Sequence, residues 1–111
     1  MNKYTELSDF EINKKVAEKL GLAYEVTRYG VVTRMSNKEQ WREFNPCNNP
    51  ADAMPIIIEN KIGMNFIGNI VGWSASHICE SKGELEVYDK NYYRAAMMCF
   101  LIMKDAKNEK V

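Results

Sequence analysis

The sequence has few of the residues from which catalytic and metal-binding sites are usually built. It contains a single histidine, His77, and its three cysteines form no C-x-x-C pair. A metal site or a cysteine–histidine dyad would have to recruit His77, and a lone histidine between Ser76 and Ile78 is more often an ordinary strand residue. No pairing of a nucleophile with a base is visible, so we expect no catalytic residues, no metal and no cofactor.

Long hydrophobic runs are also missing. The start, MNKYTELSDFEINKK, lacks the apolar core of a signal peptide. The longest apolar run, Ala95 to Met103, is far shorter than the ~20 residues of a membrane-spanning helix. We therefore expect a protein that is neither exported nor inserted into a membrane.

The three cysteines are Cys47, Cys79 and Cys99, an odd count that fits a reducing compartment better than a disulfide framework. This places the protein in the cytoplasm. Cys99 lies in a helical apolar run and is interpreted as a core residue. Cys47 lies in a turn and could be exposed, but no charged neighbour would stabilise its thiolate, so we interpret it as a small turn residue.

Charge of one sign does not dominate. Fifteen basic residues balance fifteen acidic ones and are scattered along the chain, which argues against generic nucleic-acid binding. With 111 residues, 46% of them hydrophobic, the chain has the composition of one globular domain. We expect that domain to span residues 1–111, with a solvated tail at 105–111.

The sequence pattern clearly predicts a first helix. Ser8 and Glu11 have the spacing of a capping box, in which each side chain satisfies a free backbone N–H. One face of the following segment is apolar at helical spacing and consists of Ile12, Val16 and Leu20. We predict a helix from about Asp9 to Leu20.

Next comes YEVTRYGVVTRM, rich in β-branched and aromatic residues and interrupted only by Gly30. This pattern predicts two strands joined by a tight turn. Trp41 and Phe44 follow a polar loop, and we expect them to extend the sheet or to plug its end.

Residues 44–62, FNPCNNPADAMPIIIENKI, predict the start of a second helix. Asn49 suits the N-cap and Pro50 the first helical position. Pro55 lies too deep for the first turn, so it should kink the helix or separate a short turn at Ala51 to Met54 from a helix at Ile56 to Lys61. The stretch contains three asparagines, Asn45, Asn48 and Asn49, whereas an N-cap needs only one. We expect this cluster to form side-chain turns or to border an anion-binding site at the helix start.

From Gly63 to Tyr88 the pattern predicts strands around Asn69 to Ile78 and Glu84 to Tyr88. GMNFIGN has the glycine spacing of a P-loop, but Asn69 and Ile70 stand where lysine and serine or threonine are required. GWSAS has a serine where the hydrolase nucleophile elbow needs its second glycine. We therefore interpret neither motif as a phosphate-binding or catalytic site.

Together, the predicted helices and strands give an α+β fold in the order α-β-β-α-β-β-α, with about four antiparallel strands.

The last predicted helix is capped by Asn91, and its segment from Ala95 to Met103 is apolar on every face. A helix of this kind needs packing partners on more than one side. We expect one face to lie on the sheet and the other to form a homo-oligomer across a two-fold axis. The alternative is that helix one or helix two covers it within the chain.

The stretches LSDFEINKKVAEKLG, FNPCNNPADAMPIIIENKI and DKNYYRAAMMCFLIMKDA together resemble the NinX-like proteins of lambdoid phages and prophages, a family of unknown function. The resemblance covers nearly the whole chain. More distantly, the helix arrangement is similar to phage ABA sandwich domains, in which helices pack on both faces of an antiparallel sheet. The resemblance implies a virus-encoded accessory protein and brings no catalytic residues.

Three function classes compete. The first is a non-enzymatic protein that binds a host factor, for host takeover or anti-defence. The second is a sponge for a nucleotide immune signal, with stacking aromatic rings, free N–H groups at helix starts and an arginine in one pocket. The third and least favoured is an enzyme. The candidate ligand-binding residues of the second class are Trp41, Asn48, Asn49, Tyr92 and Arg94.

Overall fold

The computed structural model describes residues 2–79 and 83–108. Three helices and six strands are present in these ranges: α1 (Asp9–Leu20), β1 (Ala23–Thr27), β2 (Gly30–Arg34), β3 (Arg42–Glu43), α2 (Pro50–Glu59), β4 (Gly63–Gly68), β5 (Gly72–Cys79), β6 (Gly83–Asp89) and α3 (Tyr92–Asn108). The α+β class and the alternation of helices with groups of strands are confirmed.

The strands form two antiparallel sheets, not one sheet of about four strands. Sheet 1 has the order β1-β2-β3 and sheet 2 the order β4-β5-β6. The segment between Trp41 and Phe44 extends sheet 1, as one of the two alternatives predicted, because β3 pairs with β2 there. The strand that the sequence did not reveal is β4, whose bounding glycines read as breaks. No strand of sheet 1 pairs with a strand of sheet 2, so the described residues do not form a single sheet with helices on both faces.

The ends of α1 are those that the sequence predicts. Ser8 Oγ accepts a hydrogen bond from the Glu11 backbone N–H at 3.1 Å, and Glu11 Oε1 accepts one from the Ser8 N–H at 3.0 Å. Gly21 ends the helix in the left-handed region at φ 75°, where a residue without a side chain is favoured. Local capping chemistry therefore fixes both ends of this helix.

The start of α2 also follows the prediction. Asn49 Oδ1 accepts a hydrogen bond from the Ala51 N–H at 3.0 Å, and Pro50 is the first helical residue. The helix continues through Pro55 to Glu59 without a break, so the predicted separate turn at Ala51 to Met54 does not form.

Replacing Asn49 with alanine should lower the free energy of unfolding by about 0.5–2 kcal/mol, because the Ala51 N–H loses its acceptor. Thermal denaturation followed by circular dichroism measures the loss. Asn49→Asp keeps an acceptor oxygen and serves as the control, with a melting temperature close to wild type. Equal melting of Asn49→Ala and wild type would show that the side chain does not cap α2.

The last helix is buried within one chain. Every residue from Ala95 to Leu101 is 0% exposed. The segment packs between β5 and β6 of sheet 2 on one side and α1 and α2 on the others. The alternative explanation of its all-round apolar character is therefore the correct one, and residues 95–101 have no surface for a subunit interface. Homo-oligomerisation stays a prediction, but it requires another surface.

The last helix also extends further than predicted, through Asn108. Asp105 is not part of a solvated tail, because its carboxylate pairs with Lys3 at 3.3 Å and Lys19 at 3.4 Å and accepts a hydrogen bond from the Tyr4 hydroxyl. Burial opposes the charged form of Asp105, but the bonds from Tyr4, Lys3 and Lys19 hold its pKa below the ordinary value. The predicted tail at 109–111 lies outside the described residues.

Candidate functional site

A groove of about 740 Å³ lies between sheet 1 and α2, and we call it the Trp41 groove. Apolar side chains contribute much of its lining, among them Leu20, Leu22, Phe44 and Ile56. Charged residues line it as well: Arg34, Glu39, Arg42, Asp52 and Glu59. The groove is half open to solvent and offers both apolar and charged side chains to a partner.

The loop between β2 and β3 places Trp41 in this groove. Glu39 Oε1 accepts a hydrogen bond from the Met35 N–H at 2.9 Å, and the Glu39 N–H donates to the Ser36 carbonyl at 3.1 Å. These bonds close the loop, so the indole of Trp41 returns to the end of β2. There the guanidinium carbon of Arg34 lies 4.3 Å from the centroid of the Trp41 ring, which is a cation–π contact.

Arg34 carries an unused hydrogen-bond donor. Its Nε is buried and has no hydrogen-bond partner among the described residues. Its Nη2 makes a long bond of 3.4 Å to Asn37 Oδ1. A buried donor without a partner destabilises a protein by about 1–3 kcal/mol, so an acceptor atom would recover part of that energy if the Arg34 side chain moved to expose this N–H to the groove.

A second polar cluster lies where the starts of the three helices meet, and we call it the Asn48 junction. Asn48 Oδ1 accepts a hydrogen bond from Asn91 Nδ2 at 3.2 Å, and Asn48 Nδ2 donates to Asp9 Oδ2 at 3.1 Å. Asp9 begins α1, Asn48 directly precedes the cap of α2, and Asn91 caps α3 through the Tyr93 N–H at 2.8 Å. The helix starts at Asn48 and Asn91 therefore lie close together, as a nucleotide pocket would require.

Arg94 is fully engaged at this junction. Its Nη1 pairs with Asp9 Oδ1 at 2.6 Å, and its Nε lies 3.4 Å from Asp89 Oδ1. Its Nη2 donates to the backbone carbonyls of Leu7 at 2.7 Å and Thr5 at 3.0 Å. The guanidinium therefore ties α3 to the segment that precedes α1.

The charge balance at the junction disfavours an added anion. Two carboxylates lie here, those of Asp9 and Asp89, and both pair with Arg94. Asp52 Oδ2 accepts a hydrogen bond from the Asn45 N–H at 2.9 Å, and Asp52 also lines the Trp41 groove. Carboxylates of the chain itself thus meet the positive helix ends, and a phosphate would face their repulsion.

The other candidate residues are distributed between these regions. Tyr92 belongs to an aromatic row in which rings meet edge to face: Phe66 with Trp73 at 5.2 Å, Trp73 with Tyr92 at 4.9 Å, and Tyr92 with Tyr93 at 4.9 Å. Asn49 caps α2. The structure thus links Asn48 and Arg94 through Asp9, while Trp41 stacks with Arg34 in the groove. A ligand role for these residues stays a prediction.

The sequence patterns did not identify Asn13 as a residue of this region. It is 5% exposed, donates from Nδ2 to Asn45 Oδ1 at 2.8 Å and accepts from the Cys47 N–H at 3.0 Å. The sequence signal for its burial was the position of Asn13 four residues before Ala17, on the buried face of α1. The surplus asparagines of the turn therefore join α1 to the start of α2.

Cys47 and Cys99 are both buried, and burial is the main cause that raises the pKa of each thiol to about 12. The only histidine places its Nδ1 3.4 Å from the Lys61 carbonyl oxygen. Both thiols are thus held in the protonated, unreactive form at neutral pH.

We expect neither Cys47 nor Cys99 to react with a thiol reagent such as iodoacetamide in the native state at neutral pH. Mass spectrometry of tryptic peptides reads out each site, and labelling in guanidinium chloride provides the reference for full reaction. Rapid native alkylation at Cys47 would contradict its burial in the turn.

The structure also bears on metal binding and on membrane crossing. In the ranges 2–79 and 83–108, no group of three histidine, cysteine, aspartate or glutamate side chains has the arrangement to hold a metal ion. No helix in these ranges combines the length and the apolar character that crossing a membrane requires.

Comparisons with known proteins relate this chain to a phage protein family and, by fold, to a solved structure. The family model described as "Bacteriophage P22, NinX" matches residues 3–104. A solved structure, a phage protein from Bacillus cereus ATCC 14579, superposes with a TM-score of 0.65 at 11% sequence identity, covering 96% of this chain and 94% of that one. At this identity the likeness shows the fold alone. Among curated protein sequences, no match was found. Because the family model spans nearly the whole chain, this protein belongs to the phage protein family described as "Bacteriophage P22, NinX".

Proposed function

We propose that this phage protein is a non-enzymatic accessory protein that binds a bacterial protein in the host cytoplasm, and that the Trp41 groove is its binding surface. The observation that carries the proposal is the buried, unpaired Nε–H of Arg34, stacked beside Trp41 in a groove with apolar walls. Tryptophan and arginine are the residues most enriched at the energetic centres of protein interfaces.

The groove defines the chemistry of the partner. Its apolar walls favour an apolar side chain, and the Arg34 Nε–H requires an acceptor oxygen. A neutral acceptor such as a carbonyl oxygen suits this position, because the ionised arginine already makes the hydrogen bond charge-assisted and carboxylates outnumber arginines in the groove lining. We infer that the partner inserts an apolar side chain next to a backbone carbonyl or a side-chain amide.

The charge distribution favours a protein partner over a nucleotide. Two arginines and three carboxylates line the groove, namely Arg34, Arg42, Glu39, Asp52 and Glu59. A mixed rim of this kind selects a complementary protein surface by pairing charges of both signs. A nucleotide sponge needs an excess of positive charge or free N–H groups, whereas carboxylates are in the majority in the groove and at the Asn48 junction.

The test is capture from a bacterial lysate with three immobilised forms: wild type, Trp41→Ala and the control Ile78→Ala, whose side chain is exposed on sheet 2. Captured proteins are identified by mass spectrometry, and the partner is then purified for calorimetry. We expect Trp41→Ala to weaken binding at least about 30-fold, the effect of losing an interface hot spot. Ile78→Ala should bind like wild type.

Two outcomes would contradict the proposal. One is a partner that Trp41→Ala, shown by circular dichroism to be folded, binds as tightly as wild type does. The other is binding of a cyclic dinucleotide or ADP-ribose derivative that Arg94→Ala abolishes, because this result would favour the nucleotide sponge.

A further inference from the structure

Strand β4 is an edge of sheet 2 and lacks the usual protection of sheet edges. Its sequence, GMNFIG, contains no charged residue and no proline. The opposite edge, β6, carries Glu84, Glu86 and Asp89. Natural proteins place charges, prolines or bulges on edge strands because an unprotected edge pairs with another strand.

The protection of β4 is limited to its last residues. A register shift lies between Phe66 and Gly68, whereas Gly63 to Phe66 pair regularly with Ser76 to Trp73 of β5. A bulge twists an edge away from a new strand only where it occurs. Four residues of regular, uncharged edge therefore remain free to pair.

Apolar side chains concentrate at this same edge. The side chain of Phe66 is 56% exposed, and that of Ile67, the next residue of β4, is 51% exposed. Ile70 and Val71, in the turn between β4 and β5, are 85% and 42% exposed. Phe66 lies opposite Trp73, whose ring contacts Tyr92 of α3, so Phe66 is on the face of sheet 2 that α3 covers. A neighbouring strand that extended the sheet would bury this exposed ring.

We propose that two copies of this chain pair antiparallel through β4 about a two-fold axis perpendicular to sheet 2. This axis reverses the strand direction and preserves the faces, so it yields a continuous six-stranded sheet with both α3 helices on one side. The Phe66 side chains of the two copies then lie on the same face of the six-stranded sheet, next to the pair of β4 strands. The uncharged edge favours a second copy, because self-pairing brings no like charges together here, whereas two β6 edges would oppose carboxylates.

The experiment is sedimentation equilibrium of wild type, Phe66→Lys and the matched control Ile78→Lys at high micromolar concentration. Ile78 is 72% exposed on the uncovered face of the same sheet, away from the β4 edge. We expect wild type and Ile78→Lys to approach twice the chain mass of 12.8 kDa and Phe66→Lys to remain at the chain mass. Wild type at 12.8 kDa, or Phe66→Lys that dimerises as wild type does, would overturn the proposal.

A second variant covers the case in which Phe66→Lys does not fold. Asn65→Cys places a thiol on the exposed β4 edge, while Tyr29→Cys places one in the exposed β1–β2 turn as a control. Under mild oxidation Asn65→Cys should form a disulfide-linked dimer on a non-reducing gel much faster than Tyr29→Cys. Equal cross-linking of the two variants would also overturn the pairing through β4.

Discussion

Arg94→Ala should lower the free energy of unfolding by about 2 kcal/mol, between the cost of losing an exposed ion pair and that of breaking a buried one. The side chain is 13% exposed and Asp9 is 41% exposed, so water compensates only part of the loss. The substitution leaves two carboxylates without their cation and removes the donors to the Thr5 and Leu7 carbonyls. Urea denaturation followed by tryptophan fluorescence measures the change.

Arg28→Ala is the matched control, because Arg28 is exposed and its guanidinium carbon lies 5.7 Å from the centroid of the Tyr29 ring. We expect its effect to stay within about 0.5 kcal/mol. If Arg94→Ala were as stable as Arg28→Ala, the bonds of Arg94 would contribute nothing to the fold and its guanidinium would be free for a ligand.

Asn13→Ala should be comparably destabilising, by roughly 2–3 kcal/mol, because it leaves the Cys47 N–H unpaired in a buried position and removes the donor to Asn45. The control is Asn69→Ala, whose side chain is exposed in the turn between β4 and β5, with an expected effect within about 0.5 kcal/mol. Both are measured by urea denaturation. Equal stabilities of the two variants would show that the Asn13 bonds do not hold the turn to α1.

The helices could be predicted from the sequence because their determinants are local. The Ser8–Glu11 box, the Asn49–Pro50 start and the Asn91 cap each act within four residues, so a short stretch of sequence contains all the information. The hairpin of β1 and β2 was equally visible, because its β-branched strands flank a single glycine.

The strands of sheet 2 were harder to predict because their pairing is not local. Gly63 and Gly68 bound β4, and their lack of side chains concealed a strand that forms through pairing with β5. Asn69 begins no strand and lies in the turn. The near-miss motifs GMNFIGN and GWSAS fall on β4, β5 and the turn between them, so neither occupies the loop that its chemistry would need.

The candidate site was predicted only in part, for the same reason. The pattern identified Trp41, Asn48 and Arg94 as unusual, but their partners lie far away in the chain: Arg94 bonds Asp9, 85 residues earlier. The burial of Ala95 to Leu101 likewise depends on α1, α2 and sheet 2 together. No local signal marked Arg34 as the residue that stacks on Trp41.

Nuclear magnetic resonance of side-chain N–H groups distinguishes binding of the partner at the Trp41 groove from binding at the Asn48 junction. The captured partner is titrated into ¹⁵N-labelled protein. We expect the signals of the Arg34 Nε–H and the Trp41 indole N–H to shift, while those of the Arg94 Nε–H and the Asn48 side-chain amide keep their positions. Shifts at Arg94 and Asn48 with unchanged signals of Arg34 and Trp41 would contradict binding at the Trp41 groove.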